Sequence, residues 1–197
     1  MKMIPTLESQ RLFVRPFNLE DLDGVHQILD IELVDSESGD QGALTRAERM
    51  DWLGWTVLGY RQYAQLNQPP FGDRAVIRKR DGKLVGVVGM QAMLDAFGQI
   101  PYFRQDGAPE PPQPNSTEIG LFYALAPAYQ GHGYASEAAG TLIKYAFAEL
   151  RLGRILATTS HDNLASIAVM RRLGMRITEN PYSQPLWLQV VGVLEAK

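Results

Sequence analysis

The sequence predicts one α/β domain built on a mixed sheet. Two β-branched runs flank Asp81-Gly82, the strongest short hairpin signal, and so predict an antiparallel strand pair. Strand and helix patterns alternate only in the second half of the 197 residues, and no repeat or linker interrupts them. Because a doubly wound sheet needs that alternation throughout, we expect a mixed sheet in a single domain.

Composition excludes several functional classes. The chain has 19 Lys+Arg, 22 Asp+Glu and a formal net charge of −3, with no cysteine. The absence of cysteine excludes a disulfide scaffold, a thiolate zinc site, an iron–sulfur cluster and a cysteine nucleophile. A slightly acidic chain in which we find no basic patch predicts neither a nucleic-acid nor a membrane partner.

The sequence predicts neither a targeting segment nor a membrane-spanning segment. Residues 1–5 include one lysine but lead into no apolar stretch, so we expect a cytoplasmic protein. The longest uncharged stretch, residues 119–136, contains Pro127 and three glycines. This stretch predicts a strand, a turn and a helix start, and not a membrane helix.

The first half begins with a strand and two helices. Residues 12–17 predict the opening strand, and Asn18 with Asp21 predicts a helix start. Apolar residues on one helical face follow at Leu22, Val25 and Leu29. Thr45 and Glu48 form a capping box for a second helix that ends before Pro69-Pro70, and residues 35–44 predict the loop between the helices.

Strands over residues 75–77 and 84–89 form the predicted hairpin, and a proline-rich segment follows it. Residues 95–117 include Pro109, Pro111, Pro112 and Pro114 and few large apolar side chains, which predicts a long surface loop. This loop is a candidate substrate-side element, and the alternative is an insertion without a role.

The second half predicts strands over residues 118–125, 155–159, 176–178 and 186–194. One helix follows Gly133 and carries Ala138, Leu142, Ala146 and Leu150 on a single face. Another helix begins at Asn163, and Gly174 occupies the position of a helix-ending glycine.

The turn after the strand at 118–125 carries the clearest functional signal. Gly131 and Gly133 allow a tight turn, and the free N–H groups of the following helix make an anion site suited to a pyrophosphate. Small residues at Ala135 and Ser136 leave the approach clear. The spacing fits neither the three-glycine dinucleotide fingerprint nor a P-loop, and ordinary turn chemistry is the alternative.

This segment resembles the signature of the GNAT superfamily of N-acetyltransferases. Gln130, Gly133 and Ala135 match its Gln/Arg-x-x-Gly-x-Gly/Ala pattern, whose amides hold the pyrophosphate of acetyl-coenzyme A. Residues 12–17, 118–120 and 163–174 resemble further family segments in the same order, so the resemblance spans most of 10–178. The opening strand and Ala-Ser-Ile at 165–167 are most similar to the ribosomal-protein-alanine acetyltransferase (RimJ/RimL-like) branch.

The resemblance implies a fold and an activity. It implies one GNAT-like domain over residues 1–197, with a mostly antiparallel sheet of six to seven strands, splayed in the middle and flanked by about four helices. It implies transfer of acetyl from acetyl-CoA, the cosubstrate, to a primary amine by direct attack in a ternary complex, without a metal. The acceptor is a protein N-terminus or a small amine, a homodimer is possible, and the alternative is a catalytically silent coenzyme-binding module.

The resemblance also assigns roles to residues. Glu118 is the candidate base, directly or through water; the amide of Leu125 stabilises the charge on the thioester oxygen; and Ser166 offers its hydroxyl to the coenzyme or the leaving thiolate. The residues expected at the coenzyme are Leu125, Gln130, Gly131, His132, Gly133, Tyr134, Ala135, Asn163 and Ser166.

Simpler interpretations accompany these roles. Glu118 could instead be a carboxylate at the start of a strand, paired with a surface base, and Asn163 could be an N-cap. Ser166 could bond to the backbone of its own helix, and Leu125 could be a core residue. Met170 stands where many relatives have a tyrosine that protonates the thiolate, and methionine cannot donate a proton.

Other side chains leave their roles open. The aromatics of the second helix fit either an acceptor pocket or the core; they are Trp52, Trp55, Tyr60 and Tyr63. The three histidines match no metal-ligand spacing.

Overall fold

A computed structural model describes residues 5–34, 42–104 and 115–196 of the chain. These residues form two compact units, each discontinuous in sequence. Of the described residues, those within 1–90 and 122–151 form the first unit, and those within 91–121 and 152–197 form the second. The expectation of one domain over 1–197 stays a prediction.

The first half of the chain forms four antiparallel strands and two helices. The strands are β1 (Leu7–Glu8), β2 (Leu12–Pro16), β3 (Gly72–Arg78) and β4 (Leu84–Asp95). The helices are α1 (Leu22–His26), which continues into a wider π turn at Gln27–Glu32, and α2 (Arg46–Gln65). Each strand pairs with the next, with Val14 opposite Val76 and Ala75 opposite Val87.

The second half contains the remaining strands and helices. They are β5 (Ser116–Leu125), α3 (Tyr134–Ala148), β6 (Arg154–Thr159), α4 (Leu164–Arg172), β7 (Arg176–Glu179) and β8 (Val190–Glu195). β5 and β6 run parallel, with Gly120 opposite Leu156, whereas β8 is antiparallel to both β6 and β7.

The strand order is β1-β2-β3-β4-β5-β6-β8-β7, which confirms the predicted α/β class with a mixed, mostly antiparallel sheet. Eight strands replace the expected six to seven because β1, a two-residue strand, pairs with β2. In the described part of the chain, no helix is long and apolar enough to cross a membrane.

The local start and stop signals form as predicted. Thr45 and Glu48 exchange the two bonds of a capping box, from Thr45 N to the Glu48 carboxylate at 2.8 Å and from Glu48 N to Thr45 Oγ1 at 3.3 Å. Asn18 and Asp21 form a second capping box before α1. Gly174 ends α4 with a φ of 79°, the left-handed conformation of a helix-ending glycine.

Two of the four α2 aromatics belong to the core of the first unit. Trp52 packs edge-on against Phe17, with ring centroids 5.7 Å apart. The Tyr60 hydroxyl accepts a bond from Phe17 N and donates one to the Asp73 carbonyl, and burial raises the pKa of Tyr60 to about 12. Trp55 is 68% exposed, so α2 is apolar on both its inner and outer faces.

The predicted surface loop over 95–117 is wrong in its first part. β4 continues to Asp95, and a short 3₁₀ turn, Phe97–Gln99, follows it. Phe97 and Ile100 are fully buried in the core of the second unit, against Leu156 and Leu188. Two large apolar side chains are therefore enough to pack this segment into the core of the second unit. Residues 105–114 of the predicted loop lie outside the described part of the chain.

The last predicted strand begins later than expected. Residues 186–188 form a 3₁₀ turn after Pro185, and β8 starts only at Val190. Leu188 is nevertheless buried in the core of the second unit, which explains why an apolar pattern there resembled a strand.

A buried ion pair joins α2 to the π turn of the first unit. Arg49 donates from Nε and Nη2 to the two carboxylate oxygens of Asp30, each at 2.7 Å, and Leu44 N donates to the same carboxylate at 2.9 Å. The Arg49 guanidinium also stacks on Trp52. Burial opposes ionisation, but the bonds from Arg49 and Leu44 outweigh it and lower the pKa of Asp30.

This pair predicts an acid-sensitive contribution to stability. A lowered pKa in the folded state means that the contribution is complete above the unfolded pKa of about 3.9 and is lost as pH falls through the folded value. Asp30→Asn should lower the free energy of unfolding by about 2 kcal/mol at pH 7, because a charge-assisted bond is lost. Urea unfolding between pH 3 and 7 measures this. An identical pH dependence in wild type and variant would contradict it.

Candidate functional site

Two left-handed glycines shape the turn between β5 and α3. A 3₁₀ turn, Pro127–Tyr129, follows the strand, and then Gly131 and Gly133 adopt φ values of 73° and 79°. Nothing lies within 4 Å of a Cβ added at Gly131, and one added at Gly133 would lie 3.5 Å from Arg11 Nη2. Backbone conformation therefore requires glycine here, more than lack of space does.

The turn presents backbone donors at the start of α3. The hydrogen bond from Glu137 N to the Gly133 carbonyl, at 3.0 Å, opens the helical ladder. The amides of Tyr134, Ala135 and Ser136 come before it and have no acceptor within the helix. Such donors, at the positive end of a helix, can bind the oxygens of a phosphate group.

Hydrogen bonds hold the inner side of the turn. Gln130 Nε2 donates to the Leu125 carbonyl at 2.9 Å, and the His132 ring nitrogen Nδ1 lies 2.6 Å from the Gln130 carbonyl. Ala126 N donates to the Val85 carbonyl at 3.0 Å. The Gln130 side chain therefore closes the turn onto the end of β5, and Leu125 itself is buried.

An arginine clamp, unforeseen from the sequence, holds the outer side. Arg11 Nε donates to Glu137 at 2.6 Å, Arg11 Nη1 donates to the His132 carbonyl at 3.1 Å, and the guanidinium lies 4.5 Å from the Tyr134 ring centre. Burial opposes ionisation of Glu137, but bonds from Ser9 and Arg11 lower its pKa. The clamp ties the start of α3 to the residue that immediately precedes β2.

In the second unit, Glu118 is half of a forked ion pair. Arg154 Nε donates to one of its carboxylate oxygens at 3.0 Å, and Arg154 Nη2 donates to the other. The pair follows from the register, since Gly120 lies opposite Leu156 and both partners stand two residues earlier. The bond to Glu118 raises the pKa of Arg154, whose guanidinium also lies over the Phe103 ring. This is the paired carboxylate that the sequence left open as an alternative.

Asn163 caps α4, as its simpler interpretation predicted. Its side-chain oxygen accepts a bond from Ser166 N at 2.8 Å, which leaves the side-chain NH₂ as the group suited to a ligand carbonyl. Met170 is fully buried, and a Cβ added at Gly192 would come within 3.0 Å of its sulfur. Met170 is therefore a packing residue of α4 against β8.

The predicted residues fall into both units. Residues 125–135 lie in the first unit, whereas Glu118, Asn163 and Ser166 lie in the second. Within the described ranges, no group of three or more His, Asp or Glu could hold a metal ion. Arg154 could have been found from the sequence only with the β5–β6 register in hand.

Comparison with known proteins identifies the family to which the chain is similar. A family model described as an acetyltransferase (GNAT) domain matches residues 11–176. An uncharacterized N-acetyltransferase, YnaD of Bacillus subtilis, is 48% identical over 80 residues, a stretch covering 41% of this chain and 42% of that protein.

Solved structures share the fold. A GNAT-family acetyltransferase from Bacillus anthracis superposes with a TM-score of 0.68 at 22% identity, covering 97% of this chain and 98% of that chain. RimL, a ribosomal-protein acetyltransferase solved in complex with coenzyme A, gives a TM-score of 0.64 at 16% identity, covering 98% of each chain. The fold of the RimJ/RimL-like branch is therefore shared, as the sequence predicted.

Proposed function

Because the chain belongs to the GNAT acetyltransferase family, we propose that it transfers an acetyl group from acetyl-CoA to a primary amine. The observation that carries the proposal is the turn before α3. Its left-handed glycines, Gly131 and Gly133, precede helix-start amides of the kind that bind a pyrophosphate. The acceptor class is a protein N-terminus or a small amine.

In the proposed reaction, the neutral amine attacks the thioester carbonyl carbon in a ternary complex. A carbon–nitrogen bond forms, the carbon–sulfur bond breaks, the amine loses a proton and the departing thiolate gains one. The chain has no cysteine, so no cysteinyl acetyl intermediate can form. The amide of Leu125 is proposed to stabilise the charge on the thioester oxygen, worth roughly 3 kcal/mol in such sites.

Glu118 is proposed to accept the proton from the amine, directly or through water. Its fork with Arg154 uses both carboxylate oxygens, yet an ionised carboxylate has about four acceptor positions, so room for a further donor is left. The Asn163 NH₂ is proposed to bond the pantetheine arm. Either Ser166 or water is proposed to protonate the thiolate, since Met170 has no proton to donate. Ser166 also has contacts with other residues of the chain.

The same fork supports a second candidate function. A carboxylate held by Arg154 for structural reasons would leave the chain without a base, as in a catalytically silent coenzyme sensor. Thiol release from acetyl-CoA across a panel of amines distinguishes the two candidates. If the chain is an enzyme, thiol release should depend on the amine. Double-reciprocal plots of the initial rate should then give intersecting lines, as a ternary complex requires. Coenzyme binding without release would instead identify the silent module.

The segment between β4 and β5 is proposed to shape the acceptor side, because it leads into the strand that bears Glu118. Deleting residues 105–114 should raise the KM for the acceptor severalfold and leave the dissociation constant of the coenzyme nearly unchanged. Steady-state kinetics with calorimetry measures both quantities. Equal changes in the two would refute the acceptor-side role.

A further inference from the structure

The β3–β4 connection is strongly basic, although the sequence as a whole indicated no basic patch. Residues 78–83, which we name the basic hairpin, contain four cationic side chains and one acidic side chain. They are Arg78, Lys79, Arg80 and Lys83, against Asp81. The backbone closes tightly, with Gly82 N bonded to the Arg78 carbonyl at 2.9 Å. The hairpin therefore concentrates positive charge in a chain whose net charge is −3.

Within the described residues, two of these cations form ion pairs and two do not. Arg78 forms a forked pair with Asp81, and Lys79 pairs with Glu8. The exposed side chains of Arg80 and Lys83 form no ion pair with any residue that the structure describes. Arg78, and to a smaller extent Lys83, lower the pKa of Asp81 to about 2, so this carboxylate is ionised at neutral pH.

The basic hairpin adjoins the glycine turn within the first unit. The Arg78 guanidinium lies 4.7 Å from the Tyr129 ring centre. The bond to Asp81, and to a smaller extent the Tyr134 hydroxyl, raise the pKa of Arg78. β4 leaves the hairpin and, at Val85, accepts the bond from Ala126 that opens the turn. Arg80 and Lys83 therefore lie on a hairpin that is bonded to the glycine turn, which precedes the helix-start amides of α3.

We propose that the basic hairpin binds the 3′-phosphate of coenzyme A through Arg80 and Lys83. The inference rests on the proposed function, in which the turn holds the pyrophosphate. Only the ribose separates the pyrophosphate from the 3′-phosphate, and a phosphomonoester carries a charge of about −1.5 to −2 at pH 7. Long, flexible cationic side chains suit a phosphomonoester at that distance from the turn.

Calorimetry with coenzyme A and with dephospho-coenzyme A tests this proposal. Wild type should prefer coenzyme A by about tenfold at low salt, and the preference should shrink as salt screens the exposed charges. The double variant Arg80→Gln, Lys83→Gln should lose the preference while keeping its affinity for dephospho-coenzyme A. The control Lys144→Gln removes a charge from α3 roughly 15 Å beyond the start of that helix and should keep the preference.

The possible outcomes distinguish a failure of this proposal from a failure of the proposed acetyltransferase function. A double variant that still prefers coenzyme A by the wild-type factor would overturn the role of the basic hairpin and leave the turn intact. Equal losses for both ligands would also overturn it, because the hairpin would then act on something other than the 3′-phosphate. Failure of wild type to bind either ligand would overturn the proposed function, and this inference with it.

Discussion

Replacing Gly133 with valine should weaken acetyl-CoA binding by about 10²-fold. Gly133 has a φ of 79° at the start of α3, and a β-branched residue is strongly disfavoured in that conformation. The turn would relax and redirect the amides of Tyr134 and Ala135, and one or two lost bonds to a charged ligand account for the loss. Isothermal calorimetry measures the change.

Two further variants separate conformation from bulk. Gly133→Ala should show a smaller loss, since alanine tolerates a left-handed φ better than valine does. Gly153→Val adds the same side chain at a glycine without a left-handed φ, where an added Cβ meets nothing within 4 Å, and should bind normally. Unchanged affinity in a Gly133→Val protein with a normal melting curve would remove the turn from the coenzyme site.

Replacing Glu118 with glutamine should lower turnover by about 10²-fold or more while coenzyme affinity stays nearly constant. Glutamine keeps the size and the hydrogen-bonding capacity but cannot serve as the proton acceptor. The loss should shrink as pH rises toward the pKa of the acceptor amine, about 8 for a chain terminus and 10.4 for a lysine, because more amine is then neutral. Turnover between pH 6 and 9 measures this dependence.

Arg154→Gln is the matched control, because it breaks the same ion pair and keeps the carboxylate. If Glu118 is the catalytic base, turnover should fall far more in Glu118→Gln than in Arg154→Gln. Equal losses of stability in the two variants, with the wild-type rate retained across the pH range, would make Glu118 structural. The base would then be another group or bulk water.

Much of the fold could be predicted from local signals in the sequence. Thr45 with Glu48, Asp81-Gly82 and Gly174 each specify a helix or strand end through bonds and dihedral angles within a few residues. The glycine turn belongs to this class, because its two left-handed glycines and the helix start lie within four residues. The conformation of the glycine turn was therefore predictable from a few neighbouring residues.

The features that were missed depend on partners distant in sequence. β1 exists only because two residues pair with β2, and Phe97 and Ile100 are buried against residues more than fifty positions away. The partner of Glu118 lies 36 residues later, across a parallel strand pair. No local pattern specifies these contacts, since sheet register and packing decide them.

The proposed activity of this chain is the transfer of acetyl from acetyl-CoA to an amine. Its most direct test is mass spectrometry of a reaction containing isotope-labelled acetyl-CoA and a panel of peptide N-termini and small amines. We expect labelled N-acetyl product in amounts equal to the free coenzyme thiol, with no label on the protein. A protein that binds the coenzyme by calorimetry, yet forms no labelled amine above the enzyme-free control with any acceptor, would contradict it.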